Sequence, residues 1–220
     1  MLFAKTTPKG TGAEFWGDCN DLESLYSTMS FLSLCDNQKD NGAYARNQQL
    51  LTIIPYEVRH AFQGARLIDK KIKNGNGFSC YYGFRADWIT ILYTISALRY
   101  NAGFRATNEL DQSNLLLFEY WTRQALHQFD DKGANYIELF INQKIDITSE
   151  YVYLIHQELI HRYFYIKPSK TRFRSIPQLL ISMANGKDLD DFIKEINHDA
   201  EVNNCSISML DYKGVPNIIW

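Results

Sequence analysis

Ile54-Pro55-Tyr56-Glu57-Val58-Arg59-His60-Ala61-Phe62-Gln63-Gly64-Ala65-Arg66-Leu67-Ile68-Asp69-Lys70-Lys71-Ile72 is the stretch on which the fold assignment turns. Ile54, Val58, Ala61, Ala65, Ile68 and Ile72 follow one another in steps of four and three, so a helix gathers all six on one stripe. The spacing predicts a helix from about Pro55, in its first turn, to Lys73, ended by Asn74-Gly75-Asn76-Gly77. Such a stripe needs a core to lie on, and an aspartate at Ile68 would then bury an unpaired carboxylate. The other side of the helix, with Glu57, Arg59, His60, Gln63 and Arg66, is polar and names no reaction.

The surrounding composition supports a folded chain. Of 220 residues, 45% are hydrophobic and 22% charged, enough for a sizeable core with about 70% of the unfolded surface hidden. The 13 Phe, 14 Tyr and four Trp suit a core of large rings with polar tips near the surface. A net charge of -2 and a pI near 6.2 give no global attraction to nucleic acid or to an anionic membrane. Cys19, Cys35, Cys80 and Cys205 include no C-x-x-C pair, which points to buried, reduced thiols in a cytoplasmic protein. Pro8 interrupts the start of the chain too soon for a signal peptide, and Trp88 to Leu98 is too short for a membrane span, so no membrane association is expected.

Along the chain, Leu2–Thr6 and Ala13–Gly17 read as strands joined at Pro8-Lys9-Gly10-Thr11-Gly12, and Asp18 to Asp21 offer caps for a helix through Leu22, Leu25, Met29 and Leu32. Tyr44–Leu51 is ambiguous. Phe78–Phe84 reads as an aromatic strand, and Asp87 as the cap of a helix buried through Trp88, Ile91, Leu92, Ile95 and Leu98. Gln112–Phe129 is helical, Asp130-Asp131-Lys132-Gly133 a turn, and Tyr136–Ile141 either strand or helix. Further helices are expected at Tyr151–Ile166, from Ser175 and Pro177 to Gly186, and at Asp188–Asn197. Ile207–Tyr212 and Val215–Ile219 read as a second hairpin. The expectation is therefore an α+β fold, a predominantly helical single domain over 1–220 with a small sheet formed by the N- and C-terminal hairpins. Short terminal strands left at a sheet edge would permit a homodimer.

Thr7-Pro8-Lys9-Gly10-Thr11-Gly12, Gly17-Asp18 with Asp21-Leu22 and Leu25-Tyr26, Arg59 to Gly64, Tyr81-Tyr82-Gly83-Phe84-Arg85 with Trp88, and Ala97 to Asn101 together resemble an uncharacterised bacterial protein family, a domain of unknown function. The resemblance implies a bacterial, cytoplasmic setting. It carries over no catalytic residue and no cofactor.

Candidate sites are few. Glu57 and His60 share a helical face, so a carboxylate beside an imidazole could act as orienter and base of a hydrolase if a cleft opens there; the plain alternative is a solvated face. His156 and His161, five apart, point about 140° away from each other on a helix, so no metal pair is indicated. Tyr81, Tyr82 and Arg85 could stack on a base or peptide, or simply pack as an aromatic strand with Arg85 at its rim. Arg162, Lys167, Lys170, Arg172 and Arg174 form a run without acidic residues and interleaved with aromatics, an anion or nucleic-acid footprint unless it balances the acidic helix of Asp188, Asp190, Asp191 and Glu195. Without an assembled catalytic constellation, the sequence favours a non-enzymatic binding module for a protein or polyanionic ligand, with no cofactor and no metal. A nucleic-acid-associated protein and a hydrolase are the alternatives.

Overall fold

The computed structural model describes residues 1–33, 42–74, 77–141, 145–210 and 217–220, of which 42–48, 70–74 and 77–79 are described for their backbone alone. Among the described residues the chain runs β1 (Phe3–Thr6), β2 (Gly12–Gly17), α1 (Cys19–Ser33), α2 (Gly42–Phe62), β3 (Leu67–Asn74), β4 (Gly77–Asp87), α3 (Trp88–Ala102), α4 (Glu109–Ile137), α5 (Val152–Tyr165), α6 (Lys170–Ser182) and α7 (Lys187–Val202). Four antiparallel strands in the order β1-β2-β4-β3 and seven helices make a predominantly helical α+β fold.

The stripe from Ile54 to Ile72 is divided between two elements. Ile54, Val58 and Ala61 lie on α2 and are wholly buried, but the helix stops at Phe62 and the chain re-enters as β3, where Ile68 is 44% exposed. Gly64, at φ +77°, is the reason: its N–H bonds to the Ala61 carbonyl while that of Ala65 reaches back to His60, each at 2.8 Å, the paired bonds of a left-handed glycine cap. A charge at Ile68 therefore meets solvent rather than core. At the other end α2 passes through Pro55 instead of starting there. Proline cannot donate to the carbonyl four residues back, and that carbonyl, Leu51 O, lies 3.1 Å from the Ser33 hydroxyl, whose one proton it shares with Met29 O at 2.7 Å.

One sheet face holds Ala4, Ala13, Phe15, Phe84 and Ala86, all buried. Phe15 faces Phe84 across β2 and β4 with ring centroids 5.3 Å apart, and Phe118 of α4 closes on Phe15 at 4.8 Å. Such pairs add about 0.5–1.5 kcal/mol beyond the area they bury. α3 lies deepest, with Trp88, Ile89, Ile91, Leu92, Ile95, Ala97 and Leu98 all buried. A helix apolar on every side must be enclosed on every side. Asp87 caps it as the sequence implies, accepting from Thr90 N at 2.9 Å.

The expected turn at Asp130 is a kink within α4: Asp130 takes φ −161° and ψ 98°, and its carboxylate caps the continuing helix by accepting from Gly133 N at 3.0 Å. α6 starts at Lys170, before the position expected from Ser175, because Ser169 accepts from Arg172 N and caps it there. The C-terminal hairpin is corrected too. The second hairpin of the sheet is β3–β4, while Ile207–Met209 is a single 3-10 turn closed from Met209 N to Ser206 O; residues 211–216 of the expected hairpin lie outside the described residues. Ile207 and Leu210 pack against the core from this turn, while Met209 is 72% exposed. The thiols are less buried than expected: Cys19 is exposed, Cys80 and Cys205 are half-buried, and all three are free. Among the described residues no helix is long and apolar enough to cross a membrane.

Candidate ligand cleft

β3 meets β4 only as far as Leu67, which faces Gly83, so Phe84 to Asp87 have a strand partner in β2 but none on the β3 side among the described residues. That gap is a cleft of about 410 Å³, walled by α2 through Ile53, Ile54 and Glu57 and by Arg66, Leu67 and the free β4 edge. Ile218 and Trp220, from a segment distant in sequence, complete its lining. Most of the wall is apolar, and the charged side chains Glu57, Arg66 and Arg85 are paired. Arg66 donates to both oxygens of Glu57, Nε to Oε2 at 2.6 Å and Nη2 to Oε1 at 3.0 Å. Arg85 donates through Nε and Nη2 to Oε1 of the buried Glu14, at 3.0 and 2.8 Å.

Asp87 and Thr90 also line the cleft. The Thr90 hydroxyl lies 2.7 Å from Asp87 Oδ2 and 3.1 Å from His156 Nε2. A threonine has one hydroxyl proton; with Asp87 ionised it goes to the carboxylate, and His156 must donate Nε2–H to Thr90 Oγ1. Burial pushes the Asp87 carboxyl above its ordinary value and holds His156 down at about 3, so the imidazole is neutral at physiological pH. Its Nδ1 is buried without a hydrogen-bond partner, and Tyr93 stands edge-on to the ring at 5.3 Å. No short sequence pattern links Asp87 and Thr90 to His156, because the contact spans 66 residues.

Of the residues singled out in the sequence, Glu57 and Arg85 reach the cleft. The described hydrogen bonds of Glu57 go to Arg66, while His60 packs against the Tyr56 ring at 4.2 Å with Nε2 buried and unpartnered. Tyr81 and Tyr82 alternate along β4; the Tyr81 ring lies 5.9 Å from Phe3, and both tyrosines are half-buried.

The basic run is dispersed by its partners. Arg162 bonds to Glu158 at 2.6 Å and lies 3.6 Å from Asp188, on the acidic helix; Lys167 is exposed. Lys170 at 3.4 Å and Arg174 at 2.7 and 2.8 Å converge on Asp130, and Arg174 holds that carboxyl well below the usual carboxylate range. Arg172 is only 1% exposed: its Nη2 donates to Thr11 Oγ1 at 2.6 Å, and its guanidinium lies 4.7 Å from the Tyr163 ring. Stacking on a ring face offsets part of the cost of enclosing this cation, which pairs with no carboxylate among the described residues. The described residues contain no group of three or more His, Cys, Asp or Glu side chains arranged to hold a metal.

The resemblance noted in the sequence now has a structural meaning. The Thr7–Gly12 turn is clasped from three sides: Trp88 Nε1 donates to Gly10 O at 3.0 Å, Tyr163 donates to the same carbonyl at 3.2 Å, and Arg172 reaches Thr11. Residues 2–220 match the family described as a domain of unknown function (DUF6904), and the chain belongs to that family. No curated protein and no solved structure matches it.

Proposed function

We propose that this protein is a one-domain, non-enzymatic binding module whose ligand enters the cleft between α2 and the free edge of β4. The observation that carries this reading is the cleft itself: about 410 Å³, largely apolar, with Glu57, Arg66, Arg85, Asp87 and Thr90 placed among the apolar walls. That balance of apolar surface and a few oriented polar groups is what ligand sites share. The Thr90 hydroxyl is engaged with Asp87 and Glu57 with Arg66, an arrangement suited to holding a ligand rather than attacking it. A polyanion site draws less support, since Lys170 and Arg174 are tied to Asp130 and Arg172 faces inward. Free thiols at Cys19, Cys80 and Cys205 suit the reducing cytoplasm to which we assign the protein.

The amphiphilic aromatic anion 1-anilinonaphthalene-8-sulfonate tests the cleft. Its fluorescence should rise on addition of the native protein, and Ile53→Trp, which fills the cleft from a half-buried position on α2, should weaken binding at least about tenfold, or about 1.4 kcal/mol. The melting temperature should move by no more than about 3 °C, as for a change outside the core. Equal binding by wild type and Ile53→Trp would sink the proposal.

A further inference from the structure

The free edge and the segment that lines the same cleft define the kind of ligand. Over Phe84–Asp87 the backbone of β4 presents alternate N–H and C=O groups toward the cleft side, where no strand of the described residues pairs with it. Residues 217–220 show what such a place accommodates. Ile218 and Trp220 line the cleft, as side chains two apart in an extended chain do, while the intervening Ile219 offers its carbonyl to Thr11 Oγ1 at 2.7 Å. Thr11 spends its one proton on that carbonyl and accepts from Arg172. That is the only hydrogen bond that residues 217–220 make among the described residues, and Ile219 remains 53% exposed. The segment therefore rests on the cleft without being locked into the sheet.

Resting on the binding reading above, we infer that the cleft is a docking groove for an extended peptide bearing an aliphatic side chain and, two residues on, an aromatic one, which pairs with β4 along Phe84–Asp87 and displaces residues 217–220. Backbone pairing supplies affinity and the two side-chain positions supply selectivity, as in other cases of strand addition. Because the rim arginines are already neutralised by Glu57 and Glu14, the groove favours an uncharged core in its peptide. The chain's own segment acts as a tethered competitor, so the apparent affinity of the free groove is reduced by the fraction of time that it is covered.

The probe is a fluorescein-labelled peptide, Gly-Ser-Asn-Ile-Ile-Trp, with Gly-Ser-Asn-Ser-Ile-Ser as control, measured by fluorescence anisotropy against the full chain. The double variant Ile218→Ser with Trp220→Ser should bind the first peptide at least about tenfold more tightly than wild type does, and adding Ile53→Trp should remove that binding. In wild type, saturating peptide should move the Trp220 indole ¹⁵N–H resonance to its solvent-exposed position, a readout that needs no variant to fold. Equal binding of the two peptides, or no gain in the double variant together with a stationary Trp220 signal, overturns the inference. A rise to dimer mass in light scattering without peptide binding overturns it in favour of a second copy at the edge. If the peptide fails while the anilinonaphthalene probe still binds in an Ile53-dependent way, the peptide is wrong and the cleft stands; if both fail, both readings fall.

Discussion

Gly12→Ala should destabilise the protein by about 3 kcal/mol or more, seen as a fall in melting temperature of about 6–12 °C, or as loss of folded protein. A β-carbon at Gly12 would stand 1.9 Å from the Ala86 carbonyl oxygen and 2.7 Å from Asp87 Cα. These are backbone atoms of β4, opposite Gly12 in the register, so relief requires the two central strands to part. The contrast is Gly64, where the new carbon would find nothing nearer than 3.8 Å but the φ of +77° is strained for alanine. That substitution should cost only about 1 kcal/mol. Thermal unfolding of the two variants side by side separates steric exclusion from backbone conformation, and a Gly12→Ala protein no less stable than Gly64→Ala would contradict the described register.

Trp88→Ala should be comparably damaging, at about 3–5 kcal/mol. Trp88 is fully buried at the start of α3, edge-on to Phe173 at 5.8 Å, and donates to Gly10 O. Truncation opens a large cavity where the sheet, α3 and α6 meet. Trp88→Phe should cost less, because a ring remains and Tyr163 still donates to the Gly10 carbonyl. In urea, the midpoint for Trp88→Ala should fall with an unchanged slope, the sign of lost stability rather than an altered folded or unfolded state.

These two positions also mark how far the sequence can be read. The N-terminal hairpin and the Asp87 cap were legible because each is written in adjacent residues: turn formers between alternating runs, and an aspartate before an apolar helix. The Ile54–Ile72 stripe misled because strand β3 places its apolar residues in phase with a helix that has already ended. The available signal was Gly64, in the middle of the supposed helix. The basic run looked like a surface patch since a one-dimensional reading cannot see Asp130, 40 residues from Lys170 and 44 from Arg174, or the inward turn of Arg172. The cleft was the least legible. It exists because β4 outruns β3, a matter of strand register, and because residues 217–220 return to it; of its lining only Glu57 and Arg85 had been marked as candidate site residues, each for another reason.

The clasp on the Thr7–Gly12 turn also sets an order of assembly. Its hydrogen bonds join residues separated by 78, 153, 161 and 208 positions, the last from Thr11 to Ile219. Contacts so remote must close long loops before they contribute, and they slow folding accordingly. During synthesis the turn therefore waits, held from outside by Trp88 alone, until α5 and α6 have been made. In refolding followed by hydrogen exchange, the amides of Gly10 and Thr11, bonded within the turn to Thr7, should gain full protection only when α5 and α6 bury the turn, in the slowest phase, after those of α3. The turn at the beginning of this protein is thus among the last parts to become native, and a nascent chain halted before Arg172 leaves that turn without its guanidinium contact.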